Sequence, residues 1–185
     1  MAFWSQSDKD TKDPKRGFRW VLIAKNVEAY TVKKVSKPSF TLQESTHKYL
    51  NHTYYYPGRV EWNTVTLTLV DPVNPDAAAT IMHTIREGGY SPALKPGDYG
   101  TMSKGKAAAA LGNLLEIRQL DSDGQMVESW KLHNPWIKDV KFGELDYDSD
   151  DLTMIDIEIR YDWAELETAN VGKQQTKKFF NSGQK

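Results

Sequence analysis

The segment Gly100-Thr101-Met102-Ser103-Lys104-Gly105-Lys106-Ala107 has the G-x-x-x-x-G-K spacing with which a glycine-rich loop cradles phosphates and a lysine reaches them. Its last position breaks the pattern, because Ala107 stands where Ser or Thr must ligate magnesium. Such a loop also needs a buried strand before it, whereas Pro92 to Tyr99 is a connection punctuated by proline and glycine. The segment therefore reads as a surface loop carrying two lysines. A small nucleotide-binding module built on Lys106 is the enzymatic alternative. Asp146, Asp148, Asp150 and Asp151 have the opening spacing of a calcium loop. Asp151, however, occupies the position of the turn glycine, and Ile157 that of the closing glutamate. They read as an acidic turn between strands.

His47, His52, His83 and His133 fall in different predicted elements, with no i, i+4 pairing and no adjacent carboxylate motif, so neither a metal site nor a triad has local support. They read as surface or interface residues. No G-x-S-x-G nucleophile elbow occurs, and zero cysteines exclude a thiolate nucleophile, a disulfide framework and a Cys-based zinc site. No catalytic residue, cofactor or metal ligand is assigned, and the expectation is a protein that is not an enzyme.

Composition narrows the class further. With 24 Lys plus Arg against 25 Asp plus Glu, the chain lacks the basic excess that clamps phosphate backbones. No run of about 18 apolar residues exists, so no membrane insertion is expected. Met1 to Arg16 is polar, without the apolar core of a secretory signal, which predicts synthesis and assembly in the cytoplasm. The 185 residues suit one core, to which six Trp, nine Tyr and six Phe bring large apolar bodies.

The elements that would position any site are mostly strands. Arg19 to Lys25 reads as a buried strand, Tyr30 to Val35 as a second, and Ser39 to Ser45 as a third after Pro38 resets the chain. Tyr49 to Tyr56 is rich in aromatic strand formers and is expected to close at a turn on Pro57-Gly58. Beyond it Val60, Trp62, Val65, Leu67 and Leu69 alternate with polar residues. One helix is well signalled: Asn74 as cap, Pro75 at the first position, Asp76 at the positive end of the dipole, and Gly88-Gly89 as the stop. Ala78, Ile81, Met82 and Ile85 share its apolar face. Ser91 to Gly100 is a loop, and Lys106 to Leu111 has the composition of a short helical turn.

Leu114 to Leu120 and Met126 to His133 form a hairpin across Asp121-Ser122-Asp123-Gly124. Ile137 to Leu145 and Leu152 to Trp163 form another across Tyr147 to Asp151. In the last strand Ile155, Ile157, Ile159, Tyr161 and Trp163 share one side, and Asp156, Glu158, Arg160 and Asp162 the other. That charged side is either the solvated face of a sheet or the lining of a channel. In a channel the acids Asp156 and Glu158 would keep DNA from adhering. Some eight strands, mostly joined as hairpins, with one flanking helix predict a mainly β fold, an antiparallel β-sandwich or barrel. Residues 1–15 read as an N-terminal arm, 16–165 as the domain and 166–185 as a basic C-terminal arm. Phe3 and Trp4, and Phe179 and Phe180, are aromatic pairs in those arms. Phe3 and Trp4 suit either a neighbouring subunit or their own domain's edge.

The order of segments resembles the tail tube proteins of contractile-tailed bacteriophages. The likeness rests on Phe18 to Lys25, Lys37-Pro38-Ser39-Phe40, Asn51 to Trp62, Val65 to Pro72, Lys138 to Tyr147 and the closing Arg160-Tyr161-Asp162-Trp163. It spans about residues 16 to 165. It implies a tail-tube-like sandwich, six copies closing into a ring, rings stacking into a tube inside a contractile sheath, and no catalytic residues. The implied partners are copies of itself, the sheath, the baseplate and tail terminator, and genomic DNA in transit. The implied location is the virion tail. A tube subunit of a secretion or injection machine fits the same residues. Tyr54, Tyr55 and Tyr56, placed at a hairpin tip, suit either a contact between rings or self-covering core. The terminal arms suit stitching adjacent rings, touching the sheath, or neither.

Overall fold

Two strongly alternating segments set the core. Val65, Leu67 and Leu69 face the same way as Ile155, Ile157 and Ile159, and all six are buried, while the intervening Thr66, Thr68, Asp156 and Glu158 face away. Burying each such side chain is worth about 1.5–3 kcal/mol, so this register is strongly fixed, since a one-residue slip would expose the whole set.

The computed structural model describes residues 14–169 and 176–179. In them the order is β1 (Trp20–Ile23), a 3-10 turn (Ala29–Thr31), β2 (Val32–Val35), β3 (Phe40–Tyr49), β4 (His52–Trp62), β5 (Val65–Val70), α1 (Ala77–Glu87), α2 (Lys104–Ala110), β6 (Leu114–Leu120), β7 (Met126–His133), β8 (Trp136–Lys141), β9 (Met154–Arg160), β10 (Trp163–Ala169) and β11 (Thr176–Phe179). They build a four-stranded sheet, β2-β5-β9-β8, a five-stranded sheet, β1-β6-β7-β10-β11, and a separate two-stranded sheet, β3-β4. Every pairing is antiparallel. The fold is mainly β, as the alternation predicts.

The five-stranded sheet adds Leu22, Leu115, Ile117, Leu132 and Ala164 to the same core. Helix α1 joins through Ile81, with Ala77, Ala78 and Ile85 packed beside it. Met82, expected on that face, is exposed, and Thr84 is buried instead with its hydroxyl donating to the Thr80 carbonyl. The apolar arc is thus rotated from the predicted one. The cap also moves: Asp76, not Asn74, accepts from the Ala79 N–H at 2.8 Å. A carboxylate three residues before that N–H is well placed to cap it, so the helix starts later than the sequence predicts.

Among the other boundaries that differ from the sequence reading, three do so for a clear local reason. Pro57-Gly58 is no turn. The strand β4 runs through it, and the register shifts between Leu42 and Glu44, so β4 carries an extra residue there as a bulge. A Cβ on Gly58 would sit 2.8 Å from the Gln43 carbonyl oxygen, which explains the glycine. The segment 137–145 stops pairing at Lys141. The segment 152–163 is two strands, because the chain turns a corner at Asp162: its N–H donates to the His133 carbonyl, and its carboxylate accepts from Lys104 and Asn134. Beyond the corner β10 joins the other sheet, so Trp163 leaves the row of Ile155, Ile157, Ile159 and Tyr161.

Candidate functional site

The residues singled out for chemistry do not converge. Residues 91–106 are all exposed, a Cβ added at Gly100 would meet nothing within 4 Å, and Ser103 merely caps α2 by accepting from the Lys106 N–H. Lys104 of the same segment donates to Asp162 at 2.6 Å. Asp146 and Ser149 accept from the Asp148 and Asp151 N–H groups, the pattern of a self-bonded turn. Among the described residues no three His, Asp or Glu side chains gather at one point.

The histidines have specific surroundings. His133 stacks on Trp163 with centroids 3.8 Å apart, its Nε2 3.6 Å from Glu165. His83 lies one helical turn from Glu87, at 3.9 Å. His47 and His52 sit on the two strands of one hairpin and flank Tyr54, at 6.5 and 4.7 Å between centroids. The two lie in different strands, as the sequence predicts, and the pairing of β3 with β4 brings both to one tyrosine.

That hairpin is the feature a lone molecule does not explain. All ten residues of β3 are exposed, and in β4 only Thr53 and Trp62 are partly covered. An isolated two-stranded ribbon is marginal in water. Its root is held by Phe40 edge-on to Trp62 at 5.2 Å and by Trp62 against Tyr161 at 5.9 Å. Its tip is Leu50-Asn51, with Leu50 89% exposed in a left-handed conformation. Tyr54, Tyr55 and Tyr56 therefore lie along the arm, not at its tip as the sequence suggested, and all three are exposed.

The bulge at Gly58 gives the arm two different faces. Near the root, Phe40, Leu42, Val60 and Trp62 share one face. Beyond the bulge, the extra residue reverses the alternation of β4, and Tyr54 and Tyr56 join His47, Tyr49 and His52 on the opposite face. The apolar strip thus crosses from one side of the ribbon to the other.

Asp156 is exposed and Glu158 half-buried on the outward face of the four-stranded sheet. The strand looks acidic by itself, but the sheet balances it: Thr68 donates to Asp156 at 2.6 Å and Lys138 to Glu158 at 3.0 Å. Phe179 falls in β11 opposite Leu166. Phe3, Trp4 and Phe180 lie outside the described residues.

Two charged clusters escaped the sequence reading. On the outward face of the five-stranded sheet, Glu116, Lys131 and Glu165 form one row and Arg118, Ser129 and Glu167 the next. Glu116 accepts from Ser129 at 2.5 Å and Arg118 at 2.8 Å, and Lys131 donates to Glu167 at 2.6 Å. Burial pushes the Glu116 carboxyl up, and these donors outweigh it and leave it below the ordinary range. On the core side of the same sheet, at its end, Glu128 is 7% exposed and accepts from Lys37 at 2.7 Å, from Trp130 Nε1 at 2.6 Å and from Lys15. Burial again pushes the carboxyl up, yet Lys15, Lys37 and Trp130 hold it at about 2. The alternation of β6 and β7 hints at both clusters, but the long-range lysines that complete the second do not show in sequence spacing.

Among the described residues the feature that stands out is a surface: an uncovered ribbon beside paired charge clusters. No curated protein sequence matches the chain. Among solved structures it is similar to a chain of the anti-feeding prophage tube-terminating cap, with TM-score 0.64 and 15% identity over 91% of this chain and 100% of that one. It is similar to a chain of the extended sheath-tube complex of the extracellular contractile injection system PVC, with TM-score 0.62 and 14% identity over 89% and 100%. It is also similar to a chain of the anti-feeding prophage baseplate, with TM-score 0.60 and 15% identity over 84% and 96%. At such identities these likenesses establish the shared fold. The family model for the T4-like virus tail tube protein gp19 matches residues 16–165, and the chain belongs to that family.

Proposed function

We propose that this tail tube protein is the repeating subunit of the inner tube of a contractile phage tail, assembled as hexameric rings that stack into the conduit for genome ejection. The observation that carries this reading is the arm β3-β4, a ribbon of more than twenty residues that its own domain leaves uncovered. Copies beside or above would cover it. The sheath, the baseplate and the tail terminator are the further partners, DNA passes only in transit, and no catalytic step is involved. The location is the virion tail, assembled in the host cytoplasm.

Sheet polarity supports ring closure. With four strands alternating in direction, the edges β2 and β8 run opposite ways. Copies related by rotation about one axis therefore meet β8 to β2 antiparallel, continuing the same ladder around the ring. The five-stranded sheet has an odd count, so its edges β1 and β11 run the same way and would meet in parallel. This favours the four-stranded sheet as the inner wall, with Asp156 and Glu158 toward the lumen. Residues 1–15 are an N-terminal arm on the domain, the C-terminal residues 166–185 extend its five-stranded sheet through the end of β10 and through β11, and Phe3, Trp4, Tyr54, Tyr55, Tyr56, Phe179 and Phe180 are contact residues between subunits.

Electron microscopy of concentrated purified protein tests the reading. Rings and tubes are expected. Their absence, together with tubes in particles made without this protein, overturns it. The tube of an injection machine is the second reading, favoured by the likeness to chains of the anti-feeding prophage and PVC assemblies. Neighbouring capsid and terminase genes favour the phage, and effector and ATPase genes the injection machine.

A further inference from the structure

The arm must leave the body at a fixed angle if its two faces are to meet two surfaces at once. Its root is the short connection between β2 and β3. Ser36 is fastened to the four-stranded sheet, where its N–H donates to the Thr66 carbonyl at 2.9 Å and its hydroxyl accepts from the Thr66 N–H at 2.8 Å. Ser39 is fastened to the arm's other root, the connection between β4 and β5, its carbonyl accepting from the Asn63 N–H at 2.9 Å. Between them Lys37 crosses to the other sheet, donating to Gln119 and Glu128 at 2.7 Å each.

The same two side chains hold the start of the domain. Glu128 accepts from Lys15, and Gln119 Nε2 donates to the Arg16 carbonyl at 3.2 Å. Glu128 is nearly buried while both lysine side chains are about half exposed, 47% and 49%. A nearly buried anion with two cationic donors makes charge-assisted hydrogen bonds that fix the segments carrying those donors to the body.

We propose that Glu128 is a positioning residue for assembly: one buried carboxylate joins the arm root, through Lys37, to the exit of the N-terminal arm, through Lys15. Both appendages then leave the body from one point with a set orientation. This rests on the tube-subunit reading, because orientation matters only if the arm meets other copies. A tether tolerates loss of orientation, whereas a repeating lattice multiplies each error along its length.

The test uses the full chain in three variants, Lys37→Met, Lys37→Arg and Glu128→Gln. Tube formation is read by sedimentation, body stability by thermal melting, and the arm root by hydrogen exchange at the Ser36 and Asn63 amides of the unassembled protein. Lys37→Met removes a half-exposed partner and lowers the body's melting only slightly, because Lys15 and Trp130 still donate to the carboxylate. It raises the concentration needed for tubes about tenfold, the effect of losing one charge-assisted contact that orients the arm, and speeds exchange at the root. Lys37→Arg, which keeps the charge and reach, assembles like the parent. Glu128→Gln reproduces the assembly defect well below its melting temperature. Parent-like assembly and exchange in Lys37→Met overturn the proposal. So does a defect confined to melting, which marks a purely structural role. If the parent chain itself forms no tubes, the tube reading fails, and the exchange at Ser36 and Asn63 still decides whether Lys37 and Glu128 fix the root.

Discussion

At the scale of single residues, the most consequential ones are polar groups held where the alternation of strands predicts apolar neighbours. Glu128 is the sharpest case. Its carboxyl titrates near 2 in the folded chain, below the ordinary 4.5, because the gain from Lys15, Lys37 and Trp130 exceeds the cost of burial. A lowered value means that the folded state binds its proton more weakly than the unfolded state. The stabilisation is therefore complete above about pH 4.5 and is lost as pH falls from there toward 2. Thermal melting of the parent and of Glu128→Gln should differ by about 1–2 kcal/mol at pH 7, a figure kept low because both lysines are half exposed. The two curves should converge as pH approaches 2. A constant gap across that range would mean the charge is not what stabilises the site. Leu132→Ala offers a plain comparison: its side chain is fully buried between the sheets, so truncation should cost about 2–5 kcal/mol at every pH in a denaturant titration.

At the scale of elements, the proposed role of the arm makes folding and assembly separable by mutation. Tyr54, Tyr55 and Tyr56 are exposed along the arm, so replacing all three with Ser should leave the melting temperature within the change expected of exposed positions, about 0.5 kcal/mol, and abolish tubes in micrographs. Gly58→Val should do the same by another route, since its Cβ meets the Gln43 carbonyl and disturbs the bulge that swaps the arm's faces. Tubes of normal length from either variant would remove the arm from the assembly contacts. These elements also show what a sequence can and cannot disclose. The hairpin β6-β7 was legible to the residue, because Asp121 to Gly124 supplies turn chemistry between two alternating runs. The tip of the arm was not. Leu50-Asn51 carries a weaker turn signal than Pro57-Gly58, and only the partner strand reveals that the stronger signal is a bulge. The corner at Asp162 was hidden for a similar reason: Ile155 to Trp163 alternates without interruption, and the bonds that bend it come from Lys104 and Asn134, far away in the chain. Asp156 and Glu158 were found by alternation, but their partners Thr68 and Lys138 lie on neighbouring strands.

At the scale of the whole molecule, the even number of strands in β2-β5-β9-β8 leaves two edges of opposite direction, which in the proposed ring would continue one antiparallel ladder from copy to copy. If that sheet is the inner wall, its outward face meets every nucleotide that passes. The face is nearly charge-balanced where Lys138 meets Glu158, so it neither grips phosphate nor carries the strong acidic field that β9 alone suggests. Reversing Asp156 and Glu158 to Lys in every copy should then convert a neutral passage into an adhesive one. Tubes should still assemble, because both side chains point away from the core and the edges, and ejection from purified particles should slow while its dependence on salt steepens. The neutral pair Asp156→Asn and Glu158→Gln removes the same hydrogen-bonded acids without adding attraction, so it should eject at close to the parent rate. Equal ejection kinetics in the lysine and the neutral particles, at low salt where screening is weakest, would move these two residues out of the channel and with them the four-stranded sheet from the inner wall.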